Sequence, residues 1–280
     1  MFYSVIPILS LQSYIENIWY CNRYIDHAEH TQTLPLGRTE IVIRFSGVYS
    51  IRHQKMIFKK SDCWVSGQQT GPTVTTIAGQ HECMGVVFTP LGWNAFSSLE
   101  AGELINISVD LADVLGKGIG PLRNELAEIK FPEAKIYRLQ QFLFKKLSTT
   151  TQLSTIQQAL HLVDICGRER KVTVTGLCGQ LKISRKSLHK HFQKYVGLPP
   201  SAYIQQRIFN TIIKEMNRNP EKRLIEVGYD YDFFDQSHFI KQFQLYAGIT
   251  PGEYLQLVRR NIIDKTFPNF FTCPEVTFLQ

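Results

Sequence analysis

Lys190-His-Phe-Gln-Lys-Tyr-Val-Gly-Leu-Pro-Pro-Ser-Ala-Tyr-Ile-Gln205 returns 51 residues later as Lys241-Gln-Phe-Gln-Leu-Tyr-Ala-Gly-Ile-Thr-Pro-Gly-Glu-Tyr-Leu-Gln256, with eight of sixteen positions identical. Three further pairs (Val/Ala, Leu/Ile and Ile/Leu) stay aliphatic. An internal repeat of this quality means that one supersecondary unit is used twice. In each copy a short helix, Val174–Leu181 or about Arg223–Tyr231, leads through a tight turn into a second helix. Ser184 or Asp235 opens that second helix, and each side chain can accept from unpaired N–H groups of the first turn. Leu188, Phe192 and Tyr195 recur at helical spacing and face a core. Arg185, Lys186, His189 and Lys190 then share the opposite face. In the second copy Phe239, Phe243 and Tyr246 point inward, leaving Gln236, Ser237, Ile240, Lys241 and Gln244 outside. Gly197 and Gly248 suit a helix end with positive φ. Thr250-Pro-Gly-Glu253 predicts a fresh helix start, with Thr as N-cap, Pro at the first position and Glu reaching back.

Two helices meeting at a sharp turn, the second exposing long polar side chains, form a helix-turn-helix. Between the copies Ser201–Asn217 is a Pro-free amphipathic stretch, roughly 25 Å of helix at 1.5 Å per residue. With the radii of the flanking units, it brings the two exposed helices near the ~34 Å between successive major grooves on one face of DNA. A helical bundle with a merely architectural repeat is the alternative.

Charge follows the repeat. Residues 1–150 carry 14 Lys+Arg and 13 Asp+Glu, and residues 151–280 carry 17 and 11. Within the second half, 168–223 holds 13 basic and 3 acidic residues, while 224–280 is net acidic. A solvated basic face and a polyanion-binding face both fit this charge.

Upstream of Ser148 the pattern is strand-rich. Thr39–Phe45 and Val48–Phe58 read as a hairpin across Ser46-Gly47. Ser61–Val65, Thr73–Ile77 and Cys83–Phe88 read as further strands, parted by Gly67, Gly71-Pro72 and Gly79. Helical periodicity is expected at Leu11–Trp19 and at Glu133–Leu147, where Ile136, Leu139, Phe142, Leu143 and Leu147 share a face. That second helix suits either a dimer seam or closure of the core. The fold class expected is an α+β N-terminal domain, with a small antiparallel barrel-like sheet and helices, plus an all-α C-terminal domain with two tandem helix-turn-helix units. The expected boundaries are 1–150 for a sensor or dimerisation domain, 154–258 for the DNA-binding domain and 259–280 for an extension, packed on the surface or loosely ordered.

The chain has 280 residues, 44% apolar and 20% charged, enough for two domains with separate cores. No apolar run approaches the ~20 residues of a membrane helix. The opening residues lack a basic n-region and a small-residue cleavage site, so no export signal is expected. Six scattered cysteines (Cys21, Cys63, Cys83, Cys166, Cys178 and Cys273) form no Cys-x-x-Cys pair and fit reduced thiols in the cytoplasm. His27 and His30 with Cys21, or His81-x-Cys83, give no tetrahedral set at usual spacing, so no metal and no cofactor is expected. Phosphate loops, nucleophile elbows and His-Glu-x-x-His are absent from the sequence, so it is not read as an enzyme. Arg38, Glu40 and Arg44 near Trp64 and Trp93 are the candidates for a small-molecule site; solvated strand positions and core tryptophans are the alternative.

At this point residues 154–258 resemble the DNA-binding domain of AraC/XylS-type transcriptional regulators. The most specific match is Phe233-Phe-Asp-Gln-Ser-His-Phe-Ile-Lys-Gln-Phe243, followed by Gly248-Ile-Thr-Pro251 and Tyr254. The first unit matches through Leu177, Ser184, Leu188, Phe192, Gly197, Pro200 and Tyr203. The resemblance implies that both exposed helices enter the major groove of double-stranded DNA. Lys186, His189 and Lys190 would then approach bases or phosphates in one unit, and Gln236, Ser237 and Lys241 in the other. Lys190 and Lys241 stand where Arg is common, which favours phosphate contact over bidentate guanine reading. Asp232 replaces a usual Gly, Gly228 a small Ala, and Asp230 adds charge, so the second unit is expected to bind more weakly. The N-terminal half is similar, less specifically, to an uncharacterised domain found ahead of such DNA-binding domains. The shared pieces are Leu34-Pro-x-Gly37, Glu40-Ile-Val-Ile43, Gly67-Gln68, Val87-Phe-Thr-Pro90-x-Gly92 and Asn106-x-Ser-Val-Asp-Leu111. Leu36 stands where Asp is usual. The implied function is a regulator whose N-domain answers a small-molecule effector or forms a homodimer. The alternative is an N-domain with its own enzymatic or small-molecule-binding activity. Relatives of that kind for alkyl repair use reactive cysteines, for which Cys21, Cys63 and Cys83 show no local sequence.

Overall fold

The computed structural model describes residues 1–280 except 54–55, 59–60, 149–152, 167–171, 232, 234, 264–268 and 274–280, with backbone alone for 48, 52–53, 56–58, 166 and 273. The expected interdomain boundary at 148–152 falls largely outside the described residues, as does Asp232.

The N-terminal half is built on one antiparallel sheet. Its strands are β1 (Phe2–Val5), β2 (Ile15–Thr33), β3 (Glu40–His53), β4 (Met56–Phe58), β5 (Cys63–Ser66), β6 (Thr73–Phe88) and β7 (Ser108–Asp110), joined by β8 (Phe270–Cys273) from the far end of the chain. Neighbours run β1-β2-β6-β3-β5-β7, with β4 on β3 and β8 on β2. Helices α1 (Leu111–Leu115), α2 (Ile119–Glu128) and α3 (Pro132–Lys146) cover one face. There Ile18, Tyr20, Ile41, Ile43, Met84 and Val86 meet Leu122, Leu126, Ile136, Leu139 and Leu143 in the main core. Thus α3 closes the core, while Tyr137 and Phe144 stay exposed on its outer side. Its Lys135, almost wholly buried, pairs with Glu82 of β6 at 2.8 Å. The opposite face of the sheet carries a smaller cluster of Val42, Ile51, Trp64 and Cys83, with Trp19, Cys21 and Tyr49 against it.

Two sequence expectations fail in this half. The hairpin read across Ser46-Gly47 is one continuous strand, β3, whose register against β6 shifts on either side of Ser46. Gly47, at φ +96°, supplies a bulge rather than a reversal. Likewise Gly79 lies inside β6 instead of ending a strand. The helix expected at Leu11–Trp19 is a single 3-10 turn, Leu9–Leu11, followed by the start of β2. Leu11, Ile15 and Ile18 are buried in one core at helical intervals, because the register of β2 against β6 shifts between Ile15 and Asn17 and the bulge turns Ile15 and Ile18 to the same face.

The C-terminal half follows the repeat. Its helices are α4 (Ser154–Cys166), α5 (Val174–Leu181), α6 (Arg185–Tyr195), α7 (Pro200–Arg218), α8 (Leu224–Asp230), α9 (Gln236–Ala247) and α10 (Pro251–Arg259). One core gathers Ile156, Leu160, Leu177, Leu188, Phe192 and Tyr203. A second gathers Phe209, Ile213, Val227, Phe239, Phe243 and Tyr254. Helix α7 serves both, contributing Tyr203 and Ile204 to the first and Phe209 to Met216 to the second. Within the expected extension 259–280, Phe271 of β8 is buried against Tyr254, ring centroids 6.4 Å apart.

Candidate nucleic-acid interface

Each exposed helix is set by local chemistry. In the first unit Thr173 caps α5 by accepting from Gly176 N (3.0 Å). Helix α5 ends at Lys182, in the left-handed region at φ +53°. That residue makes the sharp turn without a glycine. Ser184 then caps α6, its Oγ accepting from Ser187 N at 3.1 Å. With Leu188 and Phe192 fully buried, Arg185, Lys186, His189 and Lys190 are all exposed. Arg185 is tied back to α5 through a 2.6 Å bond from Nη2 to Thr175 Oγ1. Tyr195 is half-buried and packs against the same core as Leu188 and Phe192. Nearby Lys194 turns toward the N-terminal half, 3.5 Å from Glu100.

In the second unit Asp235 Oδ1 accepts from His238 N at 2.7 Å and caps α9. Phe239 and Phe243 are buried, and Gln236, Ser237, Lys241 and Gln244 are exposed. The Thr250/Glu253 capping box closes as the sequence predicts, with Thr250 N donating to Glu253 Oε2 at 2.6 Å. The negative charge of Asp230 is answered locally, since Lys222 Nζ lies 2.5 Å from its Oδ2 and 3.2 Å from Glu215. A Cβ on Gly228 would make ordinary contact with the Phe239 ring, at 3.7–3.8 Å, so an Ala fits there.

Of the small-molecule candidates, Glu40 and Arg44 flank Val42 on β3 and so share the helix-free face with Trp64, whereas Trp93 belongs to the main core. Arg38 donates to Glu16 at 2.5 Å. Glu40 accepts from Trp19 Nε1 at 2.6 Å. Arg44 pairs with Asp62 at 2.7 Å, and Asp62 also holds Arg123 at 3.0 Å. Trp64 packs on Tyr49, centroids 5.1 Å apart, on the helix-free face. Trp93 is sealed in the main core, donating to Leu99 O at 3.1 Å. An open cleft of about 390 Å³ runs along Arg23–His30 and Thr272, lined by none of the five. His27 and His30 border it, and among the described residues no group of three or more His, Cys, Asp or Glu is placed to hold a metal ion. Nor is any described helix long and apolar enough to cross a membrane.

Sequence reading missed a seam between the two halves. Gln68 Nε2 donates to Val196 O (2.6 Å) and Asn94 Nδ2 to Tyr195 O (2.8 Å), both at the end of α6. Gln32 donates likewise to Ala247 O at the end of α9. These orphan C-terminal carbonyls are thereby satisfied by side chains of the N-terminal half. On α7, Gln206 Nε2 donates to Gln69 O (2.7 Å), and Asn210 Nδ2 to Pro35 O (3.1 Å) while its Oδ1 accepts from Asn269 (2.8 Å). The signal was present: Gln206 and Asn210 are polar residues, one turn apart, beside the apolar stripe of an amphipathic helix.

Residues 177–257 match a family described as a helix-turn-helix domain, and residues 3–110 match a domain of unknown function, DUF6597. Over 67 residues the chain is 34% identical to the HTH-type transcriptional activator AarP of Providencia stuartii, a stretch covering 24% of this chain and 49% of that protein. The chain thus spans about half the length of the curated relative it matches. Among solved structures, ToxT from Vibrio cholerae aligns at 14% identity and a TM-score of 0.48, covering 91% of this chain and 98% of that one. The AraC-like transcriptional activator CuxR aligns at 13% identity and a TM-score of 0.27, covering 75% of this chain and 86% of that one.

Proposed function

We propose that the chain, whose residues 177–257 match a helix-turn-helix domain and residues 3–110 a domain of unknown function, is an AraC/XylS-type transcriptional regulator that reads double-stranded DNA by laying α6 and α9 into adjacent major grooves. Lys186, His189, Lys190, Gln236, Ser237 and Lys241 supply the contacts: lysines fix register on phosphates and the polar side chains read base edges. Arg185 stiffens the first unit through Thr175 as well as adding charge. The observation that carries this reading is the pair of side-chain-capped helices, each with its hydrophobic side buried and its cationic or amide side exposed, joined by the unbroken helix α7.

The N-terminal half, 1–150, is the sensing or self-associating part, and 154–258 the DNA-binding part. An effector, or a second copy docking on Tyr137 and Phe144 of α3, shifts DNA engagement because Gln68, Asn94 and Gln32 connect that half to the ends of both reading helices. The protein acts in the cytoplasm, where its DNA is.

Fragments of genomic DNA selected by the full chain at defined salt test this directly. The expected footprint spans two successive major grooves, and affinity falls linearly on a log–log plot against salt. A footprint confined to one groove, or binding that no sequence competes away, overturns it.

A further inference from the structure

Cys21 on β2 and Cys83 on β6 are 62 residues apart in sequence but direct partners in the antiparallel register. Both therefore leave the sheet on the face free of α1–α3, beside Val42, Trp64 and Tyr49. Opposed residues in antiparallel strands have Cα atoms roughly 4.5–5.5 Å apart, within the ~4.4–6.8 Å that a disulfide spans. The two side chains sit in one cluster on that face. Cys21 is partly exposed and Cys83 is buried, so a small oxidant meets Cys21 first.

His81, two residues before Cys83 on the same face, places Nε2 3.2 Å from the Cys83 sulfur. Its ring is stacked on Tyr49, centroids 5.9 Å apart at 7°, and its Nδ1 is buried without a hydrogen-bond partner. Burial, helped by Arg23 and Arg44, holds the imidazole at about 4, so at physiological pH the ring is neutral and its Nε2 can accept a hydrogen bond from the Cys83 thiol. The neighbouring Cys83 thiol, and to a lesser degree Arg23 and the N-terminal ammonium, bring Cys21 down to about 7 against the opposing effect of burial. The same pairing and burial push Cys83 up. An attacking thiol with a pKa near ambient pH, beside a protonated resolving partner, is the arrangement that favours stepwise oxidation.

The geometry points to a peroxide-reactive thiol pair, in which Cys21 is oxidised by a hydroperoxide and Cys83, its thiol oriented by His81 Nε2, resolves it to a disulfide. The Cys21 thiolate attacks the terminal peroxide oxygen. An S–O bond forms, the O–O bond breaks, and the leaving oxygen takes up a proton to become water or an alcohol. The Cys83 sulfur then attacks the sulfenic sulfur of Cys21 as its own proton goes to the departing oxygen. The S–S bond forms, the S–O bond breaks, and the hydroxyl leaves as water with the proton that Cys83 gives up. Two thiols and one hydroperoxide give one disulfide, one water and one further water or alcohol, with two electrons moved to the peroxide. Cys63, on the helix-covered face and pushed by burial to about 12, takes no part. This site is independent of the DNA-binding reading.

The test uses the full chain, reduced, freed of reductant and treated with hydrogen peroxide or tert-butyl hydroperoxide, then digested without reduction and mapped by mass spectrometry. The expected product links the Cys21 and Cys83 peptides, is lighter than the pair by two hydrogen atoms, and is reversed by dithiothreitol, while Cys63 stays free to alkylation. The Cys83→Ser chain stops at a sulfenic acid on Cys21 that dimedone traps. In His81→Gln, linking slows by roughly tenfold, the loss of one positioning hydrogen bond, with Cys21 sulfenylation unchanged; an unchanged linking rate removes His81 from the scheme. Free Cys21 and Cys83 in the treated wild-type chain, sulfinic Cys21 without a link, or a link to another cysteine overturns the proposal without recourse to any variant.

Discussion

Gln68, just after β5, donates to the carbonyl of Val196 at the end of α6, 2.6 Å away, and both residues are buried. Gln32 makes the equivalent bond to Ala247 at the end of α9. Each reading helix is therefore held at its C-terminus by an amide of the sheet-bearing half.

Truncating such an amide strands a buried carbonyl. Gln68→Ala is expected to cost about 1–3 kcal/mol in denaturant unfolding. Hydrogen exchange gives the finer readout. Gln68→Ala should speed exchange in the last turn of α6 and spare α9, whereas Gln32→Ala should do the reverse. Equal effects on both helices from either change would show that these bonds do not act separately.

The caps of the reading helices make a matched pair. Ser184→Ala and Asp235→Ala each remove the one side-chain acceptor at their helix start, at a cost of about 1 kcal/mol. Replacement by Asn should restore most of it in either position. Thermal melts of the four variants, scored at one pH and salt, suffice.

Lys190 and Lys241 are both exposed on their helices. If each neutralises one phosphate, alanine at either position lowers the slope of log K against log salt by about 0.9. A smaller loss is expected at Lys241, because residues 224–280 are net acidic. Pairing of Asp230 with Lys222 removes part of that local charge, so the contrast rests on the remaining acidic residues. Identical slopes for the two variants would remove the asymmetry.

His81 makes stability depend on pH in a defined window. Its ordinary value of 6.5 is lowered in the folded chain to about 4. Between these values the unfolded chain binds the proton and the folded chain does not, so stability is whole above 6.5 and falls as pH drops toward 4. The full effect is about 3 kcal/mol at ~1.4 kcal/mol per pH unit. His81→Gln should flatten that part of the profile, measured by urea unfolding at pH 7, 5.5 and 4.5.

Helix α9 and its cap were legible because everything that defines them is local: Asp235 at the start, aromatic residues at helical spacing and Gly248 at the end. The same holds for α5, α6, α7 and α10. Strands β3 and β6 were cut in two on paper since Gly47 and Gly79 look alike whether they reverse a chain or bend it. Only the partner strand decides, and partners are remote in sequence. Among the reading-face residues, exposure at Lys186, Lys190 and Lys241 followed from periodicity alone. Gln68 and Asn94 gave no comparable sign, because the carbonyls they satisfy lie more than a hundred residues away. The opposition of Cys21 and Cys83 was hidden for the same reason.

Strand β8 has a consequence during synthesis. It covers the edge of β2 at His30–Thr33, and residues 270–273 leave the ribosome only after both helix-turn-helix units. At ~5–20 residues per second that edge stands bare in the nascent chain for on the order of ten seconds or more. A message truncated before Phe270 would release a polypeptide with unsatisfied backbone donors and acceptors along this edge, ready to stitch onto its neighbours on the polysome.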